Sequence, residues 1–182
     1  MTCIVALEHD GYVWLGTDSA ASNGHTLSIV DTPKIIKNGN LVFGYTSSFR
    51  FADLLRFKLK FPNQKRGQDD RDYIVGVVVE KIRNSLKAGG FAKVTEGCRE
   101  SGGTALIAYR GKVYTLQDDF SIIRYVDGYS SCGSGGELAL GSLATTAALD
   151  VKPEDRVRLA LQVAAKHCCT VEGPEHIVKI GK

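Results

Sequence analysis

A hydroxyl and an amine on one residue can supply both the nucleophile and the base of a hydrolase. Thr2 becomes such a residue once Met1 is removed, a common fate of methionine before a small residue. The freed α-amine has a pKa of about 8. That is close enough to neutrality to take the hydroxyl proton directly or through a water. No separate histidine is then required. The site needs three further parts: a cation that favours the neutral amine and lowers the hydroxyl pKa, a carboxylate to hold that cation, and backbone N–H groups aimed at the developing oxyanion.

The sequence offers each part in a suitable place. Asp18 ends a predicted strand and Lys34 begins another. Hairpin geometry is expected to set both strands beside the first, within reach of Thr2. Residues 46–48 lie at a strand end just before a helix, where free N–H groups and the helix dipole favour negative charge. Ser134 lies in the glycine turn 133–136 and could relay a proton. Each residue taken singly has an ordinary reading, as a turn residue, a strand-edge charge or a helix cap; the spacing as a set points to chemistry.

These residues must be positioned by strands and helices in a definite order. Residues 2–9 and 12–18 are rich in β-formers around Asp10-Gly11, a strong hairpin turn. Residues 20–31 read as a loop or a short irregular strand. Residues 34–37 and 40–46 form a second hairpin around Asn38-Gly39. Apolar residues then recur at helical spacing from Phe49 to Leu59, with Ser47 or Ser48 as N-cap. A second helix is predicted near 73–88, capped by Asp72 and closed by Gly89-Gly90. Its valine run weakens helix propensity. Residues 91–102 read as a loop, followed by strands at 104–109, 112–116, 122–125 and 129–132. Helices near 137–148 and 154–170 follow, with Pro153 in the first turn of the latter and Gly173-Pro174 after it. A last strand covers 176–180. Two runs of antiparallel strands and two pairs of helices fit one α+β domain over 1–182. The arrangement that buries every apolar face is a four-layer αββα sandwich, two antiparallel sheets flanked by helices.

Composition limits the alternatives. A chain of 182 residues with 43% hydrophobic and 24% charged residues can build a core. A net charge of +3 with no dense basic block argues against nucleic acid. No apolar run is long enough for a membrane span, and no signal peptide is visible. The five cysteines, at 3, 98, 132, 168 and 169, form neither a zinc pattern nor a disulfide framework, which suits a reducing cytoplasm. Cys168-Cys169 falls in a helical pattern and reads as core. The four histidines lack ligand spacing. Gly133-Ser134-Gly135-Gly136 lacks the third glycine of a dinucleotide fingerprint, and Cys132 breaks the nucleophile-elbow pattern. Nothing in the pattern requires a metal or a cofactor.

The set of residues, in its order, resembles the proteasome β-subunits. It is most similar to their bacterial relatives, the HslV protease and the bacterial proteasome homologues, which are N-terminal-nucleophile hydrolases. Thr2-Cys3-Ile4-Val5 resembles their Thr-Thr-Ile-Val opening, and Gly16–Ser22 their Gly/Ala-Asp-x-x-Ala-Thr segment. Pro33-Lys34-Ile35 resembles Lys-Lys-Val. Gly44–Ser48 with Ala52-Asp53 resembles Gly-x-Ala-Gly-Gly-x-x-Ala-Asp, and Cys132–Gly136 resembles Ile-Gly-Ser-Gly-Gly.

The resemblance implies stacked homo-oligomeric rings, six- or seven-fold, that hydrolyse peptide bonds of unfolded polypeptide through an acyl-enzyme. A separate ATP-dependent unfoldase would feed them. It implies Thr2 as nucleophile and base, Asp18 and Lys34 as its charge partners, Ser134 as relay and the Ser47 N–H as oxyanion donor. Ser22 and the Ser47–Ser48 region would hold substrate as an added strand, with Ala21, Thr32 and Tyr45 lining the side-chain pocket. Three departures stand out: Ser47 replaces a glycine, Ala20 stands where eukaryotic relatives often carry arginine, and 168–173 lacks an aspartate that the family carries near the nucleophile. Ser47 and the missing aspartate motivate one alternative, a silent ring-forming shell; an N-terminal-nucleophile amidase of small molecules is another.

Overall fold

A computed structural model describes residues 2–91, 93–95 and 99–181. Met1, whose removal the Thr2 chemistry needs, and Cys98 lie outside these residues. The first strands, β1 (Ile4–His9) and β2 (Tyr12–Thr17), are joined by Asp10-Gly11. Both turn residues have positive φ, 49° and 75°, as the predicted tight hairpin demands. Residues 20–31 form a small hairpin of β3 (Ala20–Ser22) and β4 (Leu27–Ile29). β5 (Ile35–Asn38) and β6 (Leu41–Tyr45) make the next hairpin. Its turn is Gly39-Asn40, one residue later than the sequence suggests. Asn38 stays in the strand, where its side-chain amide donates to the Leu55 and Leu59 carbonyls at 3.1 and 2.9 Å.

Ser48 caps α1 (Phe49–Asp53) by accepting from the Arg50 N–H. The helix continues in the wider π geometry over Leu54–Lys58. Asp69, rather than Asp72, caps α2 (Asp70–Tyr73). A π segment, Ile74–Val79, carries the β-branched run into α3 (Glu80–Ala88). The predicted loop at 91–102 contains a paired hairpin, β7 (Lys93–Thr95) and β8 (Arg99–Ser101), around residues outside the described set. β9 (Ala105–Tyr109), β10 (Lys112–Leu116), β11 (Ile122–Ile123) and β12 (Tyr129–Cys132) follow. Then come α4 (Gly136–Thr146), α5 (Pro153–His167) and β13 (His176–Ile180). α5 stops at His167, three residues short of the predicted end. Cys168 is therefore a half-buried cap and Cys169 is exposed, not core.

The strands form two main antiparallel sheets, ordered β12-β1-β2-β13 and β11-β10-β9-β6-β5. The second hairpin thus does not lie beside β1 in one sheet, as expected; it belongs to the other sheet. Side chains alternate along β1. Cys3, Val5 and Leu7 pack with Ala139, Leu143, Val157 and Leu161 of α4 and α5. Ile4 and Ala6 pack with Val42, Leu106 and Ala108 of the second sheet. The other face of that sheet, with Phe43 and Ile107, packs on Phe51, Leu55, Ile82 and Leu86. With both faces covered, β1 needs apolar residues at nearly every position. No helix among the described residues is long and apolar enough to cross a membrane.

Gly44 lies where the two sheets meet. A Cβ there would stand 2.5 Å from Ile4 Cγ2 and 3.1 Å from Leu15 Cδ1. Gly44→Ala is expected to lower stability by about 1–3 kcal/mol through overpacking. Gly76→Ala, in an exposed helical position with open space around it, should raise stability by up to about 1 kcal/mol. Urea unfolding midpoints moving in opposite directions would check the pair.

Candidate active site

The hairpin register fixes the first part of the site. Ile4 pairs with Thr17, so residue 3 and Asp18 meet just beyond the ladder. The Cys3 N–H donates to Asp18 Oδ1 at 3.0 Å, and the Asp18 N–H donates to the Cys3 carbonyl at 3.2 Å. The Ala20 N–H holds Asp18 Oδ2 at 3.1 Å. Lys34 enters from the other sheet, just before the edge strand β5. Its ammonium lies 2.8 Å from Asp18 Oδ1 and 2.9 Å from Thr2 Oγ1. Thr2, Asp18 and Lys34 are 4%, 1% and 1% exposed. Burial pulls the Lys34 pKa below 10.5, while Asp18 opposes that fall by charge and hydrogen bond.

The glycine turn closes around Thr2 from the other side. The Thr2 nitrogen donates to Ser134 Oγ at 3.1 Å. That nitrogen is the atom that becomes an α-amine when Met1 is cut away. The Thr2 carbonyl accepts from the Gly135 N–H at 3.2 Å and from Ser134 Oγ at 3.3 Å. Gly133 has φ +94°, and a Cβ there would lie 2.1 Å from the Thr2 carbonyl oxygen. Glycine is required on both counts.

Thr170, which the sequence reading missed, continues the chain of hydroxyls: its Oγ1 is 2.8 Å from Ser134 Oγ and 3.3 Å from Cys168 Sγ. The missing signal was the helix end. Lys166-His167 is a basic last turn of the kind that closes helices, and stopping there frees 168–170 to turn inward. Burial raises the Cys168 thiol pKa, but hydrogen bonds from Thr170 and Ser134 outweigh it and leave the pKa lowered. Burial pushes the thiol pKa of Cys3 up, helped by the Asp18 charge, and that of Cys132 up to about 12.

Residues 46–48 border a cavity of about 310 Å³ that also reaches Thr2, Ala21, Ser22 and Tyr45. Ser47 has φ +78°. Its hydroxyl accepts from the Thr104 N–H at 3.1 Å, and its own N–H has no partner among the described residues. Phe49, grouped with the core face by its spacing, is half exposed and lines the cavity. Thr32 does not line it. It is exposed and donates to the Asp31 carboxylate at 2.9 Å, because the chain turns inward only at Lys34. Among the described residues, no three His, Cys, Asp or Glu side chains gather as metal ligands.

No family model matches the sequence. Solved structures do match its fold. Thiobacillus denitrificans BPH in complex with epoxomicin aligns with a TM-score of 0.83 at 21% identity, covering 98% of both chains. BPH without that compound gives the same TM-score and identity, covering 98% of this chain and 97% of that one. HslV from Trypanosoma brucei aligns with a TM-score of 0.73 at 14% identity, over 99% of each chain. The fold is that of HslV and BPH. Identity this low carries the architecture and leaves the chemistry to the residues above.

The lowered Lys34 pKa has a definite sign in stability. The folded chain releases this proton before the unfolded chain does, so the group's contribution rises with pH from its folded midpoint up to 10.5. It is lost as pH falls through that midpoint. Nitrogen NMR of labelled lysine should place the Lys34 midpoint below 10.5, and a midpoint at or above 10.5 would contradict the burial argument.

Proposed function

We propose that this chain is a threonine-type peptidase, a subunit of stacked homo-oligomeric rings that enclose their active sites. One observation carries the reading. The hydroxyl of Thr2 is held at 2.9 Å by a buried ammonium while the nitrogen of the same residue is held at 3.1 Å by Ser134. Nucleophile and base are thus each gripped beside one cavity. The two sheets with helices against their outer faces support the four-layer αββα sandwich of N-terminal-nucleophile hydrolases in a single domain.

In this mechanism Met1 is first removed. The neutral α-amine then takes the Thr2 hydroxyl proton, with Ser134 as relay. Lys34, held charged by Asp18, stabilises the alkoxide that forms. Thr2 Oγ1 bonds to the scissile carbonyl carbon, and the carbonyl oxygen becomes an anion facing the Ser47 N–H. The C–N bond breaks as the protonated α-amine returns its proton to the leaving nitrogen. Water, deprotonated by the same amine, then attacks the ester and releases the acid, and Thr2 is regenerated. Backbone groups near Ala21, Ser22 and Ser48 would hold the peptide as an added strand. An ATP-dependent unfoldase, a separate chain, would feed the rings. We place the assembly in the cytoplasm.

The silent-shell alternative was motivated by the bulk of Ser47. Its hydroxyl is tied to Thr104 and its N–H is unclaimed among the described residues, which supports a working donor. A small-molecule amidase needs no enclosing ring, so particle mass in solution separates that reading.

Intact mass should show loss of Met1. Treatment with an electrophilic peptide that captures hydroxyls should add one adduct to the peptide beginning at Thr2. Thr2→Ala should abolish both the adduct and peptide hydrolysis, and Lys34→Ala should lower hydrolysis by at least about 10²-fold. Correctly trimmed rings that take no adduct would defeat the peptidase reading.

A further inference from the structure

We infer that Tyr45 makes the cavity select a neutral carboxamide side chain, glutamine or asparagine, on the residue whose carbonyl Thr2 attacks. The inference rests on the peptidase reading and adds a substrate class to it. Tyr45 is the last residue of β6, immediately before the 46–48 stretch. It is 4% exposed, packed in the core cluster of the second sheet, and lines the cavity with Thr2 and Phe49.

A buried phenol normally finds a hydrogen-bond partner. Tyr73 and Tyr109 in the same cluster do so, donating to the Pro62 carbonyl at 2.7 Å and to Gln64 Oε1 at 2.8 Å; Tyr114, also in the cluster, has no hydrogen-bond partner among the described residues but does not line the Thr2 cavity. The Tyr45 hydroxyl has no partner among the described residues. It is not sealed off either, since the one sealed, unpartnered side-chain oxygen among them is Thr17 Oγ1. A nearly buried ring whose oxygen still meets solvent, beside a cavity, is a polar group left for a ligand.

The charges around the cavity decide which ligand. Lys34 lines the cavity with its ammonium on Thr2, and Arg56 acts on the Tyr45 phenol more strongly than the opposing Asp53, so a cationic side chain is repelled. A carboxylate would be drawn to the same ammonium and disturb its contacts with Asp18 and Thr2. An apolar side chain would cover the phenol and leave it unanswered, which costs more than never making the bond. A carboxamide offers one donor and one acceptor and brings no net charge. It can answer the phenol in either direction.

The test uses peptides identical except at the residue before the scissile bond, which is Gln, Met, Lys or Glu. Hydrolysis is read as kcat/KM with the trimmed chain and with Tyr45→Phe. Binding is read separately by calorimetry on Thr2→Ala, with and without Tyr45→Phe. The Gln peptide is expected to lead the Met peptide by about tenfold in both readouts, the value of one good hydrogen bond. Tyr45→Phe should bring that ratio to about one without lowering thermal stability, because the hydroxyl makes no bond within the described protein. A Gln-to-Met ratio that Tyr45→Phe leaves unchanged overturns the inference, as does preference for Met, Lys or Glu. If no peptide is cleaved, the peptidase reading fails, and the binding ratio on Thr2→Ala still decides the role of Tyr45. Equal binding of the whole series would then sink it.

Discussion

The buried ion pair between Lys34 and Asp18 is the interaction on which the site depends. Taking an ammonium and a carboxylate out of water costs several kcal/mol for each ion. Here that cost is offset only because every contact is made at once. Asp18 accepts from Lys34, from the Cys3 N–H and from the Ala20 N–H. Lys34 gives further hydrogens to Thr2. The pair also joins the two sheets, since Asp18 follows β2 of one and Lys34 precedes β5 of the other. Apolar burial between Ile4, Leu15, Val42 and Leu106 would hold those sheets together without it. Its consequence is therefore position: Asp18 on one sheet and Thr2 hold the ammonium that the other sheet supplies.

Thr2 is fixed just as firmly by backbone. Its carbonyl accepts from two donors of the 133–136 turn, and the turn can come that close only because residue 133 has no side chain. Thr2 is thereby anchored through its carbonyl, while its hydroxyl and nitrogen are left for Lys34 and Ser134. Such a division suits a residue that is asked to react through both ends. The side chains beyond it, Ser134, Thr170 and Cys168, include no carboxylate. The aspartate absent from 168–173 thus has no replacement among them, and Lys34 with Asp18 remain the charged groups held against the nucleophile.

Much of this was legible in the sequence because strands and turns follow local rules. Asp10-Gly11 required a tight turn, and the β-forming residues on either side of it marked β1 and β2. The proximity of Asp18 to Thr2 followed from hairpin register alone. The proximity of Lys34 was also expected, but by the wrong route. Nothing local says that a second hairpin will join another sheet, since that choice is made by which faces bury together. Thr32, a pocket residue only by the resemblance, lies outside the cavity because the chain turns inward only at Lys34. Thr170 was hidden by a helical period that runs past the helix's real end, and Phe49 by a period that could not register the cavity beside it.

Ser47 shows how a local irregularity yields a usable group. The strand ladder ends at Tyr45, paired with Ala105, and the Thr46 N–H still reaches the Thr104 carbonyl. Ser48 already belongs to the helix start: its N–H turns back to the Thr46 carbonyl and its hydroxyl caps Arg50. One residue remains between the two patterns, and it can connect them only with a positive φ. For serine that conformation costs about 1–2 kcal/mol, partly offset by the bond its hydroxyl takes from Thr104. Glycine would meet the same geometry without the cost. Either residue leaves the same N–H outside both ladders, beside the cavity, because the junction and not the side chain sets its direction. Replacing glycine by serine here therefore changes the energy of the turn and leaves its donor in place.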